Sequence, residues 1–579
     1  MKNNADGLIL GKTKENNLVI QHEKSKISNR NIFVVGGPGS FKTQSYVLPN
    51  VINNRSSSIV VTDPKGEIYE MTNAIKQKQG YKTVVVNFKD FLLSSRYNPL
   101  LYIRKSSDTN IIANAVVSAK NDPKRKDFWF NAQMSLLNSL IKYVYFEYDP
   151  KSRNLEGILD FLEEFDPRYN EDGVSELDEQ FERLPDGHEA KRSYYLGFRQ
   201  AQSEARPNIV ISLLTTLLDY IDNDVSEFTN TNDFFFEELG QSKVCLYILI
   251  SPLDRTWDGL INLYFQQMFT ELFLLGDKNN AKLPVPCVML LDEFVNLGYF
   301  ATYENFLATC RGYRISVSTI LQSIPQLQEL YGDKKAKAII GNHSIRICLG
   351  GVEETTAEYF SRLIGDTTIR VNTGSQSQSR VSSKGNQSSG SKSEQYSYQK
   401  RRLITEGEVI NLQDKENGRK SIVVIEGKPF MLRKTPQFEL FDDLLSENNV
   451  SQQDYVSEQS KFAIEYIFNL EKEFKEKKQA VLDSLKSKTK IKEDNQETLK
   501  ISLPENEVVH LHDQNSSFEH EEEQKEIEQK IDEEIDSEDL MNDIMQSFDG
   551  LSFEEEITQP KIKSESTTTN SNSDDDLTF

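Results

Sequence analysis

Cysteine is scarce: Cys245, Cys287, Cys310 and Cys348 are the only four in 579 residues, far apart and without a C-x-x-C spacing. That spacing argues against both a zinc site and a disulfide framework, and three of the four sit in apolar runs and read as small core residues. Long apolar runs are also missing. No stretch approaches the roughly 18 residues needed to cross a bilayer, and no signal peptide is recognisable, so the sequence as it stands reads as cytoplasmic. An excess of positive charge is lacking too. The formal net charge is -23, but residues 501–579 hold 24 Asp and Glu against 4 Lys, a balance of -20 that leaves the first 500 residues near -3. The acidity describes a tail, and so it does not exclude a nucleic-acid partner for the body of the chain. The length excludes a single small module and allows more than one domain.

Short runs rich in Val and Ile recur, each followed by a turn signal and a helix-like segment, as buried parallel strands of an α/β fold do. They fall at 31–35, 58–63, 83–87, 244–251, 287–292, 314–320 and 345–349. Between the third and fourth runs the period changes to that of helices, as in FWFNAQMSLLNSLIKYVYFEY (128–148) and LEGILDFLEEF (155–165). The predicted organisation is an α/β domain with a mostly parallel central sheet from 1–104 and 236–440, an inserted all-helical subdomain at 105–235, a helical extension at 441–490 and a disordered acidic tail at 491–579. Residues 373–400, dominated by Ser, Gln and Gly, read as a mobile loop or loose hairpin. Strand-like material resumes at SIVVIEG (421–427), FAIEYIFNLEKEFKEKKQAVLDSL (462–485) has a charged helix pattern, and 533–548 could form a short amphipathic helix.

The sharpest chemical signal lies at 31–50, where a β-run leads into Gly36-Gly37-Pro38-Gly39-Ser40-Phe41-Lys42-Thr43 and then a helix pattern beginning at Gln44. Glycines let backbone N–H groups turn inward around phosphate oxygens. Lys42 would then reach the β and γ phosphates of ATP, and the Thr43 hydroxyl would ligate Mg²⁺. Phe41 stands where the pattern expects Gly, which predicts a negative φ there and a nearly helical loop at that point. The run CVMLLDEFVNLG (287–298) supplies the acidic partner, with Asp292 expected to hold Mg²⁺ and Glu293 to polarise the attacking water. Gln322, just past another strand, is placed to sense the γ-phosphate. Arg311 and Arg314 precede that strand, and either could reach the nucleotide of an adjacent subunit as an arginine finger. Lys124, Arg125 and Lys126 are candidate DNA contacts, although a charge run is more often a solvated loop.

These residues resemble the type IV coupling proteins, the TraG-like conjugation ATPases related to FtsK-like DNA translocases. The resemblance rests on GGPGSFKT, on VVTDPKGEIYE (60–70), RYNPL (96–100), LLDEFVNLG and TILQSIPQLQELYG, and it spans roughly residues 8–440 in the family's order. The SFKT form of the loop is similar to that of coupling proteins from Gram-positive plasmids and transposons. The resemblance implies a RecA-like P-loop NTPase domain, a hexameric ring, and an all-helical domain that helps to select relaxase–DNA substrate. It also implies single- or double-stranded DNA, relaxase and relaxosome proteins and type IV secretion channel subunits as partners. The family's two amino-terminal transmembrane helices have no counterpart before GLILGK (7–12). A separate membrane-anchoring subunit that recruits the chain to the inner face of the cell membrane is therefore expected, the other possibility being an anchor that was removed. Two other readings stay open on the residues alone: a translocase for chromosome partitioning or repair, and a nonenzymatic adaptor that binds nucleotide only to stabilise a docking platform.

Overall fold

In the computed structural model, residues 6–120, 127–164, 174–202, 204–372, 396–413 and 419–446 are described. Lys124, Arg125 and Lys126, the predicted helix at 462–485 and the acidic tail lie outside them.

The strands are β1 (Leu8–Lys12), β2 (Leu18–Gln21), β3 (Ile32–Val35), β4 (Ser58–Thr62), β5 (Lys82–Asn87), β6 (Val244–Leu249), β7 (Cys287–Leu291), β8 (Ile315–Leu321), β9 (Ile345–Cys348), β10 (Asp366–Asn372), β11 (Tyr396–Arg402), β12 (Lys420–Ile425) and β13 (Lys428–Arg433). Eleven of them form one sheet in the order β2-β1-β13-β12-β9-β3-β8-β7-β4-β6-β5, and β10 pairs with β11 in a separate antiparallel hairpin. All pairings from β9 to β5 are parallel. The four strands β2, β1, β13 and β12 extend that sheet in antiparallel fashion. The seven predicted strands are all present, with ends within a residue or two of the predicted ones.

A parallel strand is covered on both faces, which is why β3, β4, β6 and β7 are apolar along nearly their whole length and wholly buried. Alternate side chains nonetheless go to different cores. Phe33, Val35, Val60, Leu246, Met289 and Leu291 join one cluster, while Ile32, Val34, Ile59, Val61, Tyr247 and Leu290 join the other. On the second face lie the helices Leu48–Asn53 and Glu67–Lys78, which contribute Leu48, Val51, Ile68 and Tyr69.

The first face carries the helix Asp258–Lys278 and the helical run expected between strands. That run comprises Asp108–Lys120, Phe128–Glu147, Leu155–Glu164, Glu176–Arg183, Glu189–Leu196, Arg206–Leu217 and Asn223–Asn230. Phe130, Leu137, Phe161 and Leu213 from these helices belong to the same apolar cluster as the strand residues, so the helical segment shares its core with the sheet.

The strand-like run at 421–427 is β12. It turns back through Glu426 (φ 48°) and Gly427 (φ 81°) into β13, a two-residue hairpin whose left-handed residues match the twist of the paired strands. Asp63, of the TDPKGE run, ends β4 and accepts hydrogen bonds from the Gly66 and Tyr69 N–H groups (2.9 Å each), capping the helix Glu67–Lys78. Burial raises its carboxyl to about 6.

Two buried features position the carboxyl ends of β3, β8 and β9. The first is a glycine contact. A Cβ added at Gly37 would lie 1.6 Å from the Gly351 carbonyl oxygen, and Gly37 N–H donates to Gly350 O at 3.1 Å. The loops after β3 and β9 therefore touch through bare backbone. The second is His343, fully buried beneath β8. Its Nδ1 lies 2.7 Å from Ile339 O, which can only accept, so Nδ1 carries the proton. Nε2 then accepts from the Thr319 hydroxyl at 2.8 Å, and Thr319 Oγ1 in turn accepts from Tyr303 at 2.6 Å. A second proton on the ring would break this chain, and burial holds the imidazole down at about 4.

Two outcomes are expected. Gly37→Ala should cost at least about 3 kcal/mol in urea unfolding, because backbone cannot yield to the new methyl. Gly341→Ala, at an open helix end, should be neutral or slightly stabilising. Because the His343 value is depressed below the ordinary 6.5, its contribution is complete above about pH 6.5 and drains away as pH falls towards 4. It amounts to about 3 kcal/mol at most. Unfolding midpoints measured from pH 7 to 4 should fall less steeply, by about one proton, in His343→Gln.

Candidate functional site

The site lies at the carboxyl edge of the parallel strands β3, β8 and β7, neighbours in that order. From β3 the chain enters the loop 36–43, which is stitched to the sheet by Gly36 N–H to Leu321 O (3.2 Å). Thr43–Val47 then forms a wide π-helical turn, closed by Leu48 N–H to Thr43 O, before the helix Leu48–Asn53 begins. Asn50 in that helix binds both backbone groups of Ile9, fixing it to β1.

β7 ends in Asp292 and Glu293. Asp292 is fully buried, and its Oδ2 accepts from the Thr43 hydroxyl at 3.0 Å. Its Oδ1 accepts from Glu293 N–H at 3.0 Å, while its main-chain oxygen accepts from Thr62 Oγ1 at 2.7 Å. Burial, with the Glu293 charge adding to it, pushes the Asp292 carboxyl up to about 7 against the pull of Lys42 and Thr43. Glu293 sits at φ 49°, a strained conformation that swings its carboxylate off the strand end. There it lies 3.4 Å from Lys42 Nζ, and both its oxygens accept from Gln322 Nε2 at 3.2 Å. Lys42 Nζ also donates to Gly36 O at 2.8 Å.

Lys42, Thr43, Asp292, Glu293 and Gln322, predicted from three separate segments, thus converge. Gly36, Gly37, Pro38, Gly39 and Ser40 form the loop above them. The donor set fits a magnesium nucleotide. An ammonium and a turn of main-chain N–H groups suit phosphate, and a hydroxyl beside a carboxylate suits a hard divalent cation. Ser40 Oγ is buried against Gly36, 2.4 Å from where a Cβ on that glycine would lie, and has no hydrogen-bond partner among the described residues.

Phe41 departs from expectation. Its φ is +69°, not negative, and helical geometry begins only at Lys42 (φ -52°, ψ -63°). A left-handed non-glycine residue costs about 1–2 kcal/mol. The environment offsets this cost. The Arg419 guanidinium lies 5.2 Å from the Phe41 ring, and Lys434 Nζ donates to Ser40 O at 3.0 Å.

The arginines lie elsewhere. Arg311 and Arg314 precede β8, about 20 Å of strand away from its carboxyl end. Arg314 is taken up by Glu23 (2.7 Å) and by the Leu283 and Pro284 carbonyls, which leaves the exposed Arg311 as the candidate for contact with another chain.

Sequence reasoning missed two parts of the site. One is the Gly350-Gly351 doublet after β9, readable in principle as a close backbone approach. The other is the segment after β13, where Lys434, Thr435 and Gln437 bind Ser40 O, Ser45 O (3.2 Å) and the Gln44 side chain. No local pattern in those residues signals that contact.

Known proteins are similar to this chain in sequence and fold. The family model described as type IV secretory system conjugative DNA transfer matches residues 2–524. Protein VirD4 of Agrobacterium fabrum is 25% identical over 370 residues, 60% of this chain and 51% of that protein. Conjugal transfer protein TraG of Rhizobium radiobacter is 25% identical over 411 residues, 68% of this chain and 60% of that protein. The chain thus spans between about half and 60% of the length of these relatives. Among solved structures, the unbound bacterial conjugative coupling protein TrwBdeltaN70 superposes with a TM-score of 0.50 at 17% identity, covering 70% of this chain and 84% of that one. The plasmid coupling protein TrwB in complex with the non-hydrolysable ATP analogue ADPNP also gives 0.50 at 17%, covering 70% and 85%. At such identity the likeness establishes the fold, a large, mostly parallel sheet with helices on both faces. With more than half of its length matched by the family model, the chain belongs to the type IV secretory system conjugative DNA transfer family, the type IV coupling proteins.

Proposed function

We propose that the chain is an ATP-driven coupling protein of a conjugative type IV secretion system, which recruits relaxase–DNA substrate and delivers or pumps single-stranded DNA to the transfer channel. The observation that carries this reading is the convergence of the Thr43 hydroxyl on Asp292 at 3.0 Å with Lys42 and Gln322 both against Glu293. Family membership and the nucleotide named for the TrwB complex support it.

ATP with Mg²⁺ supplies the phosphoanhydride bond and the cation that offsets its charge. In this reading Lys42 exchanges Gly36 O and Glu293 for phosphate oxygens, and the loop 36–43 with Gln44 encloses the phosphates. Thr43 and Asp292 hold the cation, whose charge keeps the Asp292 carboxyl ionised despite its burial. Once Lys42 leaves, Glu293 is free to take the proton of the attacking water. Gln322, hydrogen-bonded to Glu293 from the adjacent strand, couples that change to β8 and the helix Ile324–Gly341 that follows.

Further assignments follow from the family. The chain works as a homohexamer in which Arg311 of one subunit reaches the nucleotide of the next, and the 105–235 helices act as the substrate-selecting domain. The motor domain comprises 1–104 and 236–440, followed by an extension at 441–490 and the acidic tail at 491–579. Partners are DNA, single- or double-stranded, relaxase and relaxosome proteins, channel subunits and a separate membrane-anchoring subunit that holds the cytoplasmic chain at the inner face of the membrane.

ATP hydrolysis should be measurable and should rise with single- or double-stranded DNA. Lys42→Ala should abolish turnover and weaken nucleotide binding. Glu293→Gln should keep nucleotide bound while slowing hydrolysis about 100-fold or more. Unchanged hydrolysis in Lys42→Ala refutes the motor.

A further inference from the structure

The direction of a nucleotide in this site is fixed by the sheet order. Glu293 and Gln322, which would face the terminal phosphate, belong to β7 and β8, on one side of β3. The α-phosphate and nucleoside must then leave the loop on its other side, towards β9, β12 and β13. On that side the residues after Thr43, Gln44 and Ser45, are overlaid by the strap Lys434–Gln437. Lys434 Nζ binds Ser40 O, Thr435 Oγ1 binds Ser45 O, and the Gln437 and Gln44 side chains bind each other. The strap is buried, and both Ser45 Oγ and Gln437 Oε1 are buried without a partner among the described residues.

Flanking the strap are two flat groups. Arg419, immediately before β12, lies within 5.7 Å of the Phe438 ring and 5.2 Å of the Phe41 ring, with Nη1 3.4 Å from Glu439. Phe438 is 42% exposed although both its strap and its guanidinium neighbour are anchored. An exposed aromatic ring beside a guanidinium offers what a purine ring system requires for stacking.

Resting on the nucleotide-site reading, we propose that Phe438 and Arg419 form the platform on which the nucleotide base stacks, with the Lys434–Gln437 strap holding that platform in register with the phosphate loop. Stacking reads a π-face and not a hydrogen-bonding edge, so it admits ATP and GTP alike.

The test compares calorimetric binding of ATP and of inorganic tripolyphosphate, both with magnesium, to the full chain. Wild type should bind ATP at least tenfold more tightly than tripolyphosphate. Phe438→Ala should weaken ATP about tenfold and leave tripolyphosphate unchanged, and Phe438→Tyr should restore ATP binding. In Phe438→Trp the new indole emission should be quenched by ATP but not by tripolyphosphate, a response that a merely structural ring would not give. Equal affinity of wild type for the two ligands overturns the platform while leaving the phosphate site standing. So do variants that bind ATP like wild type, or that lose both ligands equally. Binding of neither ligand by wild type removes the nucleotide site and the platform with it.

Discussion

The contact between the Thr43 hydroxyl and the Asp292 carboxylate joins residues 249 positions apart, and the geometry around it follows from keeping that carboxylate dry. A buried carboxyl is tolerated only with donors on its oxygens, and here the Thr43 hydroxyl and the Glu293 N–H supply them. Those donors hold their places only if β3 and β7 keep their register across β8. The buried chain from Tyr303 through Thr319 to His343 fixes β8 to the helices beneath it, and Thr62 holds the end of β7 to β4.

Two of the left-handed non-glycine residues lie beside the same contact. Of these, Phe41 precedes Lys42 in the chain and Glu293 pairs with it at 3.4 Å. Each is held by neighbours from another part of the chain, Glu293 by Lys42 and Gln322, Phe41 by Arg419. Strain of this kind persists where surrounding structure over-determines it, and here it aims a carboxylate and turns the phosphate loop.

Much of this was legible in the sequence, for identifiable reasons. β3, β4, β6 and β7 are covered on both faces, so they appear as unbroken apolar runs, and the loop, the acidic pair and Gln322 each end such a run. β1 and β2 are not legible as strands because they lie at the antiparallel edge of the sheet, where β2 is only half-buried over most of its length and a bulge interrupts their pairing. The sign of φ at Phe41 was misread because it is set by Arg419 and Lys434, hundreds of residues away, and not by the loop itself. For the same reason the strap after β13 left no local mark.

The antiparallel edge of the sheet joins the two ends of the described chain. β1 meets β13 through Lys12 and Arg433. During translation β1, already paired with β2, must wait for more than 400 further residues before β13 exists, a delay of about 20–80 s at ordinary ribosomal speeds. Throughout that interval the phosphate loop lacks its covering strap, so nascent chains would present an unfinished binding surface until nearly the whole folded body had emerged. Emergence of the strap after β13 thereby completes the site.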